Sequence, residues 1–391
     1  MRFLPARLSD SRRYSGDAPG RGHHPGGKPV AGVHPARMTT PFAHSVPRLK
    51  RLLPRLRGKQ MGVLGDLMLD RYLWGTASRL SPEAAVPVVD LVGQNECLGG
   101  GGNVAANLAA LGAKVEGFGV VGGDEAGRAL QKCLRKARMG ARGVLAEANR
   151  VTTVKTRIIA KHHQVVRVDR ERREPPQAET REKLLRMVFR ALKRLDALVL
   201  SDYDKGLITD DFADRVLGAA HQLKVPVFVK PKTSRLYAYR GARVIVCNTK
   251  EASFYVTKTL SDEKSFEEAG RALLAHFGCS AVVITRSGEG MSVFEESSPK
   301  QVHIPATGRE VTYARVGQPG IERGATGRQV FDLTGAGDTV LGVLALAAAA
   351  GASIVDAALL ANIAAGVVVG KLGTATVSPQ ELEHALDEWR D

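Results

Sequence analysis

The 391-residue chain is poor in aromatic side chains, in cysteine and in long apolar runs. Aromatic residues make up 5% of it, and its four cysteines are scattered without CxxC spacing. Such cysteines argue against a disulfide framework and a zinc site, and they fit a reducing compartment. The Ala-rich segment 340–351 is too short to span a bilayer and is typical of a buried helix. With 44% hydrophobic and 25% charged residues, the composition is that of an ordinary globular protein.

The excess of positive charge lies mostly in residues 1–59. Of the 56 Lys and Arg residues, 13 fall in this segment together with only 2 acidic residues, so that it carries +11 of the net charge of +16. It is rich in Pro, Gly and His without a hydrophobic period, which predicts a disordered basic extension. A start assigned too early, with Met38 as the true initiator, and an organelle transit peptide stay open as explanations. Because the remainder of the chain carries only +5, we expect no nucleic-acid partner.

From Met61 onward, short apolar strand patterns alternate with amphipathic helix patterns. This alternation predicts a mostly parallel sheet that is covered by helices on both faces. Two β-rich segments, about 72–98 and 152–168, interrupt the alternation and do not fit such a sheet. They are either surface hairpins or a lid, and their place at the ligand-binding side of a doubly wound fold favours the lid.

Residues 332–339 read Asp-Leu-Thr-Gly-Ala-Gly-Asp-Thr and lead directly into an apolar helix pattern. The small residues Gly335, Ala336 and Gly337 allow backbone N–H groups to close around an anion at the positive end of a helix dipole. Asp338 places a carboxylate beside that anion, which suits a base that accepts the proton of an attacking hydroxyl. The alternative is that Asp338 is an ordinary acid in a first helical turn.

A second glycine-rich turn, Gly99–Gly102, precedes Asn103 and another helix pattern. Together with residues 332–339, it resembles the ribokinase-like, or PfkB, carbohydrate kinases. Segments 63–72, 78–89, 201–206 and 366–374 are similar to one branch, the kinases of D-glycero-β-D-manno-heptose 7-phosphate. The resemblance runs from about Met61 to about Leu382.

The resemblance implies an α/β fold: a ribokinase-like three-layer sandwich with a mostly parallel central sheet and a small β-sheet lid, over residues 60–391. It implies transfer of the ATP γ-phosphate to O1 of the heptose phosphate, in the synthesis of lipopolysaccharide precursors. Kinases of another sugar, sugar phosphate or nucleoside (ribose, fructose or adenosine) and a catalytically silent binding protein are the alternatives. Some relatives also carry a nucleotidyltransferase domain, and we expect that adenylyl step to belong to another protein.

The substrate residues come from the resemblance and from charge. By resemblance, Asp66, Gly100 and Asn103 bind sugar hydroxyls, although Asp66 and Asn103 are also good turn and helix caps. A phosphorylated sugar needs fixed cations. Lys155, Arg157 and Arg167 alternate in the second β-rich segment, which puts them on one strand face if the register holds, and Lys205 follows a strand. Each is also explained as a solvated surface charge.

The nucleotide and ion sites rest on the resemblance. It places Thr285 and Gly288 at the nucleotide, and it places Asn248 and Glu251 near the phosphates, where Glu251 contacts Mg²⁺ through water. The small-residue helix with Asn362, Ala365 and Gly366 suits a flat adenine, and tight helix packing explains it equally well. Asp332 and Thr334 resemble a monovalent-cation site, with K⁺ as the ion.

Two departures stand out against the branch. Lys230 occupies a position where the heptose kinases usually have Asp, which reverses the charge at a strand end. Residues 307–331 form a longer connection than usual, with an internal echo between 307–313 and 326–332, and predict a surface loop near the nucleotide. We expect a cytoplasmic protein without a membrane partner, and a homodimer that pairs through the exposed strands of the lid.

Overall fold

The computed structural model describes residues 42–160, 163–233, 238–307, 333–371 and 373–389. The predicted basic extension therefore lies outside the described residues up to position 41, and the predicted 307–331 connection lies outside them from residue 308.

The central layer is a nine-stranded sheet in the order β13-β12-β11-β10-β9-β8-β1-β4-β5. The β11–β12 and β12–β13 pairs at one end of the sheet are antiparallel, and the other strand pairs are parallel. The strands are β1 (Gln60–Gly65), β4 (Lys114–Gly122), β5 (Gly140–Glu147), β8 (Ala197–Ser201), β9 (Val227–Lys230), β10 (Val244–Asn248), β11 (Ala281–Thr285), β12 (Met291–Glu295) and β13 (Val302–Ile304). The predicted mostly parallel sheet is confirmed.

Helices cover both faces of this sheet because alternate side chains of each buried strand supply a separate apolar core. In β1, Met61 and Val63 join one core and Leu64 joins the other. The first core contains side chains of α1 (Val46–Leu56), α2 (Gly101–Ala110), α3 (Glu125–Lys136), α8 (Ala336–Ala349), α9 (Ile354–Val368) and α10 (Pro379–Glu388). The second contains α4 (Ala178–Leu192), α5 (Asp210–Gln222), α6 (Thr249–Tyr255) and α7 (Glu263–Phe277). The three-layer prediction is confirmed.

The two β-rich interruptions pair with each other in a separate four-stranded sheet, in the order β3-β2-β6-β7. The first hairpin consists of β2 (Leu67–Leu80) and β3 (Pro87–Gly100), and the second of β6 (Thr153–Ala160) and β7 (His163–Arg170). β2 and β6 join the hairpins in parallel. Two isolated surface hairpins are therefore excluded, and this small sheet is called the lid below.

The boundary of the predicted extension at residue 59 is wrong. Residues 46–56 form α1, with Val46, Leu49, Leu52 and Leu56 buried in the first core. Arg48 also ties α1 to α9, since its guanidinium donates two hydrogen bonds of 2.6 Å to Asp356. The apolar residues recur every three or four positions, which is a helix period that the dense Arg and Lys residues around them obscured.

The carboxyl ends of the parallel strands meet at one edge of the central sheet, as in other doubly wound folds. Asp66 follows β1, Tyr203 lies two residues beyond β8, and Lys230 and Asn248 end β9 and β10. Helices α2 and α8 also begin at this edge. They pack closely, because Gly342 lets α8 approach Val104. One edge thus gathers residues that are far apart in the chain.

Among the described residues, no helix combines the length and the apolar character that crossing a bilayer requires.

Candidate active site

The turn 335–337 leads into α8, and the N-terminus of α8 faces a cavity of about 360 Å³. Gly335 is the N-cap residue and has a φ of +87°, a left-handed conformation that glycine adopts without strain. Gly335, Ala336, Gly337 and Asp338 all line the cavity. The positive end of the α8 dipole is therefore aimed at the place where the sequence predicts an anion.

Asp338 lies in the first turn of α8 with its side chain only 5% exposed, and it is surrounded by hydrogen-bond donors. Lys230 Nζ lies 3.0 Å from Asp338 Oδ1, and the Tyr203 hydroxyl donates to the same oxygen. Asn103 Nδ2 donates to Oδ2 over 3.2 Å. The carboxylate predicted to be the base is therefore held in one orientation by three side chains from three different elements.

The ammonium of Lys230 and the phenol of Tyr203 form one polar unit with Asp338. Burial disfavours the charged ammonium, but the carboxylate of Asp338 outweighs this, and the pKa of Lys230 is raised. Burial, reinforced by the negative charge of Asp338, also raises the pKa of Tyr203. Near neutral pH the unit therefore contains a charged lysine and a neutral tyrosine.

Asp66 fixes the loop that carries Tyr203. Its Oδ2 accepts hydrogen bonds from the backbone N–H groups of Tyr203 over 2.8 Å and Lys205 over 3.1 Å. Burial and the nearby carboxylate of Asp202 raise the pKa of Asp66 to about 7. The backbone of Gly101 donates to the Asp66 carbonyl over 3.0 Å, which joins this loop to the glycine-rich turn at Gly100. Asp66 is therefore a turn-organising residue in this structure as well as a candidate sugar ligand.

The predicted nucleotide residues come together around the same cavity. Asn248, Thr285 and Gly288 line one wall, and Asn362, Ala365 and Gly366 of α9 line another. A Cβ on Gly366 would lie 2.1 Å from Thr307 Oγ1, so that glycine is needed for the close approach of this wall to residue 307. The volume is within the range of small-ligand pockets. Six of the seven residues named from sequence for the nucleotide and its phosphates, all but Glu251, thus line the same cavity as Asp338.

Glu251 lies behind this wall, where it already has partners. Its Oε2 accepts from the backbone of Asn248 over 3.0 Å in a capping box, and its Oε1 pairs with Lys232 Nζ at 2.7 Å. Direct ligation of Mg²⁺ by Glu251 does not fit this arrangement. The water-mediated contact stays a prediction, as does the monovalent-cation site, because Asp332 lies outside the described residues and Thr334 precedes α8.

Three of the four predicted phosphate-binding cations converge at the junction of the lid and the central sheet. Lys155 pairs with Asp169 at 3.0 Å, Lys205 with Glu171 at 2.8 Å, and Arg167 with Asp169 at 2.9 Å. With three cations and two carboxylates, this group keeps one net positive charge. It is called the lid cation group below.

Arg157, the fourth predicted cation, is engaged elsewhere. Its Nη1 donates to Asp70 Oδ1 over 2.9 Å, and its guanidinium lies 5.3 Å from the centre of the Tyr72 ring. The side chains of Arg157 and Asp70 are 7% and 4% exposed. Because β2 and β6 carry these two residues, the ion pair joins the two hairpins of the lid.

The sequence motifs assign no role to Tyr203. It belongs to the segment 201–206 that carried the resemblance, and a tyrosine directly after a strand-end Asp was the available signal. Lys230, which the sequence marks as a charge reversal at a strand end, contacts Asp338. Its pairing with that residue could not be read from sequence, since 108 positions separate the two.

Comparisons with known proteins agree with this geometry. The model of the pfkB family of carbohydrate kinases matches residues 60–381. The bifunctional protein HldE of Geobacter metallireducens is 45% identical over 320 residues, which cover 82% of this chain and 61% of the relative. That of Geobacter sulfurreducens is 43% identical over 324 residues, covering 83% and 62%. The chain thus spans about three fifths of the length of these relatives.

Solved structures share the fold at lower identity. The ribokinase of Arabidopsis thaliana complexed with ribose and ATP has a TM-score of 0.63 and 17% identity, over 84% of this chain and 99% of that one. Phosphofructokinase-2 of Escherichia coli in complex with substrates and products has a TM-score of 0.67 and 17% identity, over 85% and 99%. These likenesses confirm the ribokinase-like fold.

Proposed function

Because the chain belongs to the pfkB family of carbohydrate kinases, we propose that it transfers the γ-phosphoryl group of ATP to O1 of D-glycero-β-D-manno-heptose 7-phosphate. The observation that carries the proposal is that six of the predicted nucleotide residues and Asp338 line one cavity. The similarity of residues 201–206 and 78–89 to the heptose kinases supports the acceptor. The product is the 1,7-bisphosphate, a precursor for lipopolysaccharide.

In the proposed reaction, phosphoryl transfer needs positioning and charge compensation more than covalent help from the protein. The N-terminus of α8 and the turn 335–337 hold the γ-phosphate. Asp338 accepts the proton of the sugar hydroxyl as its oxygen attacks phosphorus. Asn103 and Tyr203, which donate to Asp338, keep the carboxylate aimed at that hydroxyl.

The lid cation group is the proposed site for the 7-phosphate of the acceptor. Lys155 and Lys205 are 15% and 10% exposed in their side chains, and they share Glu171 as a partner. A doubly charged phosphate competes for these ammonium groups with stronger charge-assisted hydrogen bonds. We expect Lys205→Met to raise KM for the sugar phosphate at least tenfold, with a smaller effect on an unphosphorylated sugar.

The test is ADP release with Mg²⁺ and ATP on a panel of acceptors: heptose 7-phosphate, fructose 6-phosphate, fructose, ribose and adenosine. We expect selective turnover of the heptose phosphate. In Asp338→Asn, which keeps the shape of the side chain but is a poor base, we expect loss of most of kcat with ATP binding retained.

Other outcomes of the panel are equally informative. Turnover of a different acceptor would retain the kinase and discard the heptose phosphate. ATP binding without turnover of any acceptor would favour a silent binding protein. Near-normal kcat in Asp338→Asn would remove Asp338 from the role of base.

Magnesium would be held mainly by the nucleotide phosphates and water, as is usual for this ion. When bound, it would neutralise phosphate charge. Within the described part of the chain no group of three or more His, Cys, Asp or Glu side chains is arranged to hold a metal.

A homodimer through the lid is part of the proposal. The edge strand β7 is exposed along its whole length, and Val168 is 54% exposed on it. Val92, on the opposite edge strand β3, is 76% exposed. Open strand edges with apolar side chains favour pairing with another chain. Sedimentation at micromolar concentration should give twice the mass of the chain, and a monomeric mass would reject the dimer.

A further inference from the structure

The ammonium of Lys230 lies against the glycine turn of the active site. Its Nζ is 3.0 Å from Asp338 Oδ1 and 3.3 Å from the Tyr203 hydroxyl. A Cβ built on Gly337 would lie 3.0 Å from the same Nζ. Lys230 also lines the cavity whose walls carry the predicted nucleotide residues. It therefore stands where the sugar hydroxyl, the γ-phosphate and the base would meet.

Lys230 has a counter-ion in Asp338, but the end of α8 beside it does not itself favour a cation. The N-terminus of α8 carries a partial positive charge, which favours anions and disfavours cations. The side chain of Lys230 is only 15% exposed, so that water compensates its charge poorly. Asp338 supplies one negative charge to the ammonium and to the helix end together. An anion between Lys230 and the turn 335–337 would satisfy both positive groups.

The donors of Lys230 allow such an anion. An ammonium has three N–H donors. The hydrogen bonds described for Lys230 go to Asp338 and to Tyr203. Its place in the cavity lining leaves room for a further acceptor on the open side. The flexible lysine stem lets the ammonium exchange one acceptor for another without movement of β9.

We propose that Lys230 is a catalytic residue that binds the γ-phosphate of ATP, exchanging Asp338 for a phosphate oxygen as the nucleotide enters. The inference rests on the kinase function proposed above and adds the residue that recognises the transferred group. Asp338 Oδ1 still accepts from Tyr203 after the exchange, and the position that Lys230 leaves is taken by the hydroxyl of the acceptor.

The chemical step then balances without a proton from lysine. The hydroxyl oxygen of the sugar bonds to the γ-phosphorus, and the bond from that phosphorus to the bridging oxygen of ADP breaks with its electron pair on ADP. The hydroxyl proton passes to Asp338. Lys230 keeps its own proton and stays hydrogen-bonded to the phosphoryl oxygens throughout, where negative charge is concentrated.

The test compares a non-hydrolysable ATP analogue, AMP-PNP, with ADP by calorimetric titration in the presence of Mg²⁺ and without sugar. Lys230→Met should lose about 10- to 100-fold in affinity for AMP-PNP, as expected for one hydrogen bond to a charged group. Its affinity for ADP should change by less than about threefold, because ADP lacks the γ-phosphate. Lys258→Met removes one exposed positive charge outside the cavity lining and is the control for net charge.

The outcomes separate this inference from the proposed function. Equal affinities of wild type and Lys230→Met for AMP-PNP, or equal losses for AMP-PNP and ADP, would overturn the inference alone. A wild type that binds neither nucleotide would overturn the kinase proposal, and the inference with it. If Lys230→Met does not fold, Lys230→Gln gives the same comparison with a polar side chain. A gain of affinity or turnover in either variant would show that Lys230 blocks Asp338, and would also overturn the inference.

Discussion

A variant of Arg157 can tell whether this residue binds substrate or stabilises the lid through its buried ion pair with Asp70. Its guanidinium donates to Asp70 over 2.9 Å, and both side chains are less than a tenth exposed. The perturbation is Arg157→Met, which keeps most of the apolar stem and removes the charge. The Asp70 carboxylate then stays buried without this partner.

Breaking a buried ion pair on one side costs about 3–5 kcal/mol of unfolding free energy. The cost should depend on pH. Burial already raises the pKa of Asp70 although Arg157 opposes the shift. Without Arg157, the native carboxyl holds its proton to higher pH than the unfolded one. Stability therefore falls as pH rises above the unfolded pKa, and we expect the variant to be more destabilised at pH 8 than at pH 5.

The assay is equilibrium unfolding in urea at both pH values, together with KM for the sugar phosphate. Asp70→Asn combined with Arg157→Met should recover part of the loss, because no charge is left buried. Arg167→Met is the matched control for the unfolding measurement alone, because Arg167 belongs to the lid cation group. Arg167 faces Arg157 across the β6–β7 pair, its side chain is 49% exposed, and its loss should cost less than about 1 kcal/mol. Wild-type stability of Arg157→Met with a tenfold higher KM would refute the reasoning and make Arg157 a substrate ligand.

Three further predictions concern other parts of the molecule. Burial and Asp202 raise the pKa of Asp66 to about 7, so the unfolding free energy should fall by up to about 4 kcal/mol between pH 4 and pH 8. In a pH series of denaturant titrations, Asp66→Asn should reduce this dependence on pH. Leu49 in α1 is fully buried, so Leu49→Ala should cost about 2–5 kcal/mol; a loss under 0.5 kcal/mol by the same method would contradict the packing of α1. A Cβ on Gly366 would lie 2.1 Å from Thr307 Oγ1, and both residues line the cavity. Gly366→Ala should therefore displace Thr307 and lower ATP affinity while the circular dichroism spectrum is unchanged; unaltered affinity would argue against nucleotide binding at this wall.

The site could be predicted from sequence where its determinants are local. The glycines at 335 and 337 and the apolar run of α8 lie within one stretch, so the turn, the helix start and the position of Asp338 follow together. Residues at strand ends could be predicted in the same way, because the carboxyl ends of parallel strands share one edge of the sheet. Asn248 and Thr285, each at such an end, accordingly line the same cavity.

The ion-pair partners of the charged side chains could not be predicted from the sequence, because they depend on the register between distant elements. Lys155 and Arg157 alternate on β6 as predicted, yet one joins the lid cation group and the other a buried pair. The difference arises from β2, which places Asp70 within reach of Arg157 through a parallel pairing that no local pattern encodes. Helix α1 was missed because the basic composition of the surrounding segment predicts disorder. The helical spacing of its four buried apolar residues was the signal that could have predicted it.

Lys230 shows how a contact between distant elements, which the sequence does not reveal, changes an inference about function. Along the chain, Lys230 stands where the resemblance to the heptose kinases implies Asp, which is a charge reversal at a strand end. In the fold, β9 delivers that lysine to the first turn of α8, where its ammonium meets Asp338 at 3.0 Å. The reversal is thereby compensated inside the protein, and the pair is neutral before a nucleotide arrives. An aspartate at 230 would instead set two carboxylates beside the proposed γ-phosphate site and would need a bound cation to offset them. The lysine supplies a positive charge from the chain itself, so the substitution alters how phosphate charge is neutralised and leaves the proposed base in place.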